Sequence, residues 1–139
     1  GGETMANLND ICEDMLASID RALAAAIVDQ DSGLLLAAAH NMPHFTESFL
    51  DATAAAAVDL FRGKGISGVE GLLAELRGEE AKHSLREVQM STERTYHFAV
   101  VVPDKPDVLA ILVTGKPVNL GLTWAELRSR LRDIAAACP

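Results

Sequence analysis

The sequence predicts an α+β domain: a five-stranded antiparallel sheet carrying helices on both faces, in the order α-β-β-α-β-β-β-α. Three observations predict it. The alanine-rich stretch Ala22–Ala39 is interrupted by Asp29-Gln30-Asp31-Ser32-Gly33, residues that favour turns over helix interiors. The run "VLAILV", Val108–Val113, is apolar at every position, as a strand covered on both faces must be. Segments near both ends of the chain instead place apolar residues three and four apart, the spacing of a helix with one buried stripe.

Taken in order, Leu8, Ile11, Cys12, Met15, Leu16 and Ile19 form the first stripe, and Asn7 stands where a cap belongs. The next two elements are strands, Ala22–Asp29 and Leu34–His40, with Gly33 supplying the positive φ of a short hairpin loop. Alanine alone favours helix, but propensity yields to tertiary context. "NMPHF" breaks the chain. A second helix is expected from Thr46 as N-cap to about Arg62, with Phe45 and Leu50 packing together as a staple. Its run Ala54–Ala57 removes side-chain bulk and invites another backbone. "GKGISG", Gly63–Gly68, reads as a loop and "VEGLLAEL" as a short helix. Three strands follow, Ser84–Ser91, Arg94–Val102 and Asp107–Thr114; Pro103 and Pro106 are expected to frame the second turn and stop pairing there. The last helix carries a Thr123-x-x-Glu126 capping box, Leu122 and Leu127 as a staple, and Trp124, Leu127, Leu131 and Ile134 as its buried stripe. Arg128, Arg130 and Arg132 fall largely off that stripe, where they read as ordinary i,i+4-type surface pairs ahead of contacts to an acidic partner.

A chain of 139 residues is long enough for one domain with a single sizeable core. Residues 7–137 are assigned to it, and residues 1–6, with "GGET" before Met5, read as a disordered tail or cloning remnant. Lys and Arg number 12 against 20 Asp and Glu, a net charge of −8 that repels phosphate backbones and argues against a nucleic-acid partner. No apolar run approaches the ~18 residues of a membrane span, and no basic n-region precedes an apolar one, so a soluble cytoplasmic protein is expected. Cys12 and Cys138 are too few for a disulfide scaffold and read as thiols in a reducing compartment.

The segments "AIVDQDSGLLLAAA", "TESFLDATAAAAVDLF" and "YHFAVVVPDKPDVLAILVT" resemble the roadblock/LC7 family, a likeness extending over roughly Asn7 to Ala137. The resemblance implies a profilin-like fold and pairing as a homodimer or heterodimer through the second helix and the third strand. It also implies service as a platform or regulator for a Ras-like small GTPase, bacterial members being similar to gliding-motility regulators. Carried onto this chain, the dimer interface would comprise Thr53, Ala54, Ala56, Ala57, Leu60, Phe61, Arg86, Val88 and Met90, with Arg62 and Lys64 as candidate GTPase contacts. The segment Gly63–His83 is longer than in short members. The residues agree with this on their own terms: "SLREVQMS" at a sheet rim leaves backbone groups unpaired, and a second copy can satisfy them.

Catalytic motifs do not emerge. Gly63–Gly68 matches G-x-G-x-x-G but follows a helix where a dinucleotide site requires a strand, and Val69 and Glu70 stand where a P-loop needs Lys and Ser or Thr. Asp29–Gly33 faintly suggests a calcium loop, yet His40 occupies the twelfth position, which demands an acid. His40 and His44 are spaced i,i+4, but Pro43 lies between them; His83 and His97 complete the imidazoles, and no cofactor or metal is expected. There is no G-x-S-x-G elbow for a serine nucleophile. The expected function is a dimeric, non-catalytic adaptor or regulator of a Ras-like GTPase; the alternative is a small-molecule-sensing or scaffold module, which would require an apolar cavity with a few convergent polar groups.

Overall fold

A computed structural model of the chain describes residues 7–43, 47–79 and 85–139, the side chains of residues 47–50 and of Lys64 excepted. The elements are α1 (Leu8–Ser18), β1 (Ala22–Asp29), β2 (Leu35–His40), α2 (Glu47–Arg62), α3 (Lys64–Arg77), β3 (Glu87–Ser91), β4 (Thr95–Val102), β5 (Lys105–Gly115), α4 (Leu120–Ser129) and α5 (Leu131–Ala137). The strands form one antiparallel sheet in the spatial order β2-β1-β5-β4-β3. The predicted element order holds, with the second and the last helical positions each divided in two.

Asn7 caps α1 as expected, its side-chain oxygen accepting from the Asp10 amide at 2.9 Å. The alanine-rich stretch is a hairpin: Ala25 faces Ala39 and Ile27 faces Ala37 across the ladder. Gly33 turns it at φ 74°. The Asp29 carboxylate ties the loop by accepting from the Ser32 hydroxyl at 2.7 Å and the Asp31 amide at 3.2 Å. These bonds, the Ser32 one foremost, hold that carboxyl below the usual carboxylate range. The calcium-like motif is thus a side-chain-stapled turn.

β5 is the central strand, buried from Val108 to Thr114. Its alternation divides the apolar residues into two layers. Val108, Ala110 and Leu112 join Ala25, Ile27 and Phe98 beneath α1, α4 and α5, while Leu109 and Ile111 join Val28, Ala54 and Phe61 under α2. Cys12 lies fully buried in the first layer, where burial pushes its thiol up to about 12, with the Glu13 charge adding.

Four expectations require correction. Pro106 does not stop pairing but lies inside β5. Val101 pairs with Leu109 and Val102 with Lys105, so residues 106–108 bow out of the ladder and no N–H is demanded of the proline. The turn itself rests on Pro103 and Asp104, the latter at φ 63°. Gly63–Gly68 is not a loop: α3 begins at Lys64 and absorbs the glycines, ending at Gly78 in the left-handed conformation, φ 69°. The final helix is capped by Asn119, whose Oδ1 accepts from the Leu122 amide at 2.9 Å; Thr123 is buried within α4 and its hydroxyl donates to the Asn119 carbonyl at 2.8 Å. Lastly, two of the C-terminal arginines form ion pairs with other elements, although Arg130 also bonds within its own segment, to the Glu126 carbonyl at 3.0 Å and the Ser129 hydroxyl at 3.2 Å. Arg130 donates to Asp14 at 3.3 Å and Ser18 at 2.6 Å on α1, and Arg128 grips Glu87 on β3. The expected Phe45, Thr46 and Leu50 staple and the Ser84 strand start lie outside the described residues.

Candidate interaction face

β3 is an edge strand, and its two faces meet different surroundings. Glu87 and Gln89 face α4. Arg128 forks onto Glu87, Nε at 3.0 Å and Nη2 at 2.7 Å, and lies 4.8 Å over the Trp124 ring. Trp124 donates through Nε1 to Gln89 Oε1 at 2.7 Å and packs edge-on against Phe98 at 5.2 Å and 87°. The Glu87 fork and its charge raise the guanidinium's proton affinity. At the strand's other end Lys116 donates to Ser91 and to the Thr92 carbonyl, and sits 4.5 Å over Tyr96. These contacts fix the strand from one side only. Its outer backbone edge meets no further strand among the described residues.

Val88 and Met90 face the other way, toward α2. Between them lies an apolar cleft of about 340 Å³, bordered by Ala56, Ala57 and Leu60 on the helix and Val88, Met90 and Ala99 on the sheet. Leu60 and Met90 keep 38% and 47% of their surface in solvent, so the cleft opens outward beside the free edge. A smaller apolar space of about 100 Å³ lies deeper, between Ala54 and the β1 and β5 residues Ala26, Val28 and Ile111. Ligand pockets run to roughly 300–1,000 Å³, so this inner space is too small for most metabolites.

The residues expected at the interface divide according to helix geometry. Ala54 and Phe61 lie seven apart on the inner stripe of α2, buried at 1% and 2% against their own sheet, and Ala57 is half-buried beside them. Ala56 and Leu60 are exposed, as are Met90 and Arg86; Thr53 and Val88 are intermediate. The accessible face is therefore narrower than the sequence suggests. Arg62, a candidate GTPase contact, donates to the Pro106 carbonyl at 2.9 Å and to Asp107 at 2.8 Å, which ties α2 to the bulge of β5. The Lys64 side chain lies outside the described residues.

Sequence reasoning missed the most exposed apolar feature, the outer stripe of α3. Val69, Leu72, Leu73 and Leu76 stand at 50%, 65%, 44% and 84% exposure. Their i, i+3, i+4, i+7 spacing was the available signal, masked by the neighbouring glycines.

His97, on β4, borders the cleft; its Nε2 lies 2.9 Å from the Thr95 hydroxyl, and burial lowers its pKa. His44 and His83 lie outside the described residues, among which no group of three or more His, Cys, Asp or Glu is placed to hold a metal. Nor is any described helix long and apolar enough to cross a membrane.

A single sheet in this strand order, with α1 and the C-terminal helices on one face and α2 on the other, is the roadblock/LC7 fold. The Myxococcus xanthus protein MglB superposes with a TM-score of 0.68 at 16% identity, over 96% of each chain. A roadblock/LC7 domain from Streptomyces avermitilis gives 0.70 at 14% identity, over 94% of this chain and 97% of its own. The gliding protein MglB of Thermus thermophilus gives 0.66 at 20% identity, over 92% and 85%. At these identities the likeness is one of fold. No family model matches the sequence, and no curated protein does.

Proposed function

We propose that the protein is a dimeric, non-catalytic adaptor that regulates a Ras-like small GTPase. One observation carries the reading: on a roadblock/LC7 fold, the open edge of β3 runs beside an outward-facing apolar cleft under α2. An uncovered edge is a template for another strand, and apolar surface next to it gives the added strand a seat. A second copy supplies both, since a two-fold contact uses the same patch on each partner. The fold's likeness to a gliding protein supports a place in a motility system.

Such a dimer influences a GTPase only by binding one nucleotide state more tightly than the other; equal affinity for both shifts nothing. It need donate no catalytic group. Two measurements test the reading. Sedimentation at micromolar concentration should show a dimer, and immobilised protein should retain a small GTPase from source lysate unequally when the lysate is loaded with GDP or a GTP analogue. Equal retention, or retention of no GTPase in either state, rejects regulation; a monomer rejects the dimer.

A further inference from the structure

We propose that the groove between the β4–β5 turn, the start of β3 and α5 is a docking site for an acidic peptide segment of a partner protein, held by Arg86, Arg128 and Arg132. The inference goes beyond the dimer reading and uses a different surface. Its base belongs to the core layer under α1, α4 and α5, on the opposite side of the sheet from the α2 cleft.

The groove encloses about 560 Å³, within the roughly 300–1,000 Å³ of ligand sites. Val100 and Leu131, both buried, form its apolar base together with Ala135. Arg86 stands immediately before β3, Arg128 on α4 and Arg132 on α5, so three separate elements bring guanidinium groups to one opening. Arg86 is fixed there by its backbone: its carbonyl accepts from the Val101 amide at 2.9 Å.

The three cations are not equally engaged. Arg128 forks onto Glu87, yet 51% of its side chain stays in solvent. Arg86 and Arg132 are exposed, and among the described residues neither side chain makes a hydrogen bond or an ion pair. Arg130 differs, being held by Asp14 and Ser18. The carboxylates at the groove are Glu87, already bound to Arg128, and Asp104 in the turn. Three guanidiniums against two carboxylates leave the groove one charge positive, on a chain whose net charge is −8. Because charges are screened beyond a Debye length of about 8–10 Å, the local sign decides what settles here.

The lining favours peptide carboxylates over a phosphate group. Phosphate sites converge several donors, commonly backbone N–H groups, on one point. Here the donors are side chains of three elements spread around an apolar base, and Asp104 among them repels a doubly charged anion. Carboxylates distributed along a peptide suit separated guanidiniums, each of which can take one bidentately. The base then seats an apolar side chain of the same segment.

The test uses the full chain, ¹⁵N-labelled and titrated with three probes: the acetylated, amidated peptide Glu-Glu-Leu-Glu-Glu, its Lys-Lys-Leu-Lys-Lys counterpart, and inorganic phosphate. The acidic peptide should shift the Nε–H signals of Arg86, Arg128 and Arg132 with a Kd of about 1 mM or tighter. Arg132→Glu should weaken binding about tenfold or more, and Arg132→Lys by less, since lysine keeps the charge without the fork. Circular dichroism should be unchanged in both. No shift at about 10 mM acidic peptide, equal binding by Arg132→Glu, or equal binding of the lysine peptide overturns the docking site. Phosphate that shifts the same signals at the same concentration overturns it too, and assigns the groove to a small anion. Sedimentation separates this from the dimer reading. An Arg132→Glu chain that loses the peptide but sediments as wild type supports the groove whether wild type is monomer or dimer; one that loses both assigns Arg132 to self-association and overturns the site.

Discussion

Replacing Phe98 by alanine should remove a large part of the protein's stability. Phe98 sits at 0% exposure on β4, between Gln89 of β3 and Leu112 of β5, with its ring against Trp124 and Tyr96 at 5.2 Å and 6.3 Å. Removing a buried phenyl costs about 3–5 kcal/mol through lost transfer energy and the cavity left behind. The edge-to-face contact with Trp124 contributes about 0.5–1.5 kcal/mol of that environment. Against a total of about 5–15 kcal/mol, the loss is a third or more for most values of that range. In urea, with a slope of about 2 kcal/mol per molar, the midpoint should fall by roughly 1.5–2.5 M. Trp124 is the only tryptophan and lies against the mutated site, so its fluorescence follows the transition directly. Phe98→Leu, which keeps most of the volume, should lose less than half as much and remains measurable if the alanine variant does not fold. A drop below about 0.5 M for Phe98→Ala, at unchanged slope, would show that this ring does not hold β3, β4 and α4 together.

Two further outcomes follow from backbone and burial. Gly33→Val should destabilise by about 1–2 kcal/mol and Gly33→Asn by only a few tenths, because φ is 74° while nothing lies within 4 Å of an added Cβ, so only backbone strain is at issue; equal midpoints for both variants in urea would refute this. Cys12 is held protonated to about 12 against an ordinary value of 9.0. The unfolded chain loses that proton first, so stability is full below about pH 9 and declines toward pH 12 at up to ~1.4 kcal/mol per unit. The difference in unfolding free energy between wild type and Cys12→Ala isolates this thiol from other groups titrating there, and a difference flat from about pH 8 to 11 would contradict it.

The hairpin was legible because Asp29, Ser32 and Gly33 carry local chemistry that any context preserves. β5 was legible because a run apolar on both faces has few other homes. Misreadings arose where a local rule met a non-local geometry. Thr123 and Glu126 satisfy a capping pattern, yet Asn119 takes the cap one turn earlier and Thr123 is drawn inside. Pro106 looks like a strand terminator, but a bulge whose carbonyls serve Gln30 and Arg62 gives it a place. Glycine propensity argued for a loop at Gly63–Gly68; the helix survives because it is stopped cleanly at Gly78, whose amide returns to Ala74 and Glu75. For the candidate face, residue type pointed to α2 and β3, but only the turn of α2 separates Ala54 and Phe61, facing inward, from Ala56 and Leu60, facing out.

The five strands act as a partition between two oily compartments that never touch. Side chains on opposite faces of β5 alternate along one backbone, so a change in one chamber reaches the other through the strand and not through direct packing. One compartment is closed by α1, α4 and α5; the other, roofed by α2, has a buried floor of Val28, Leu109 and Phe61 and an outer rim still open beside β3.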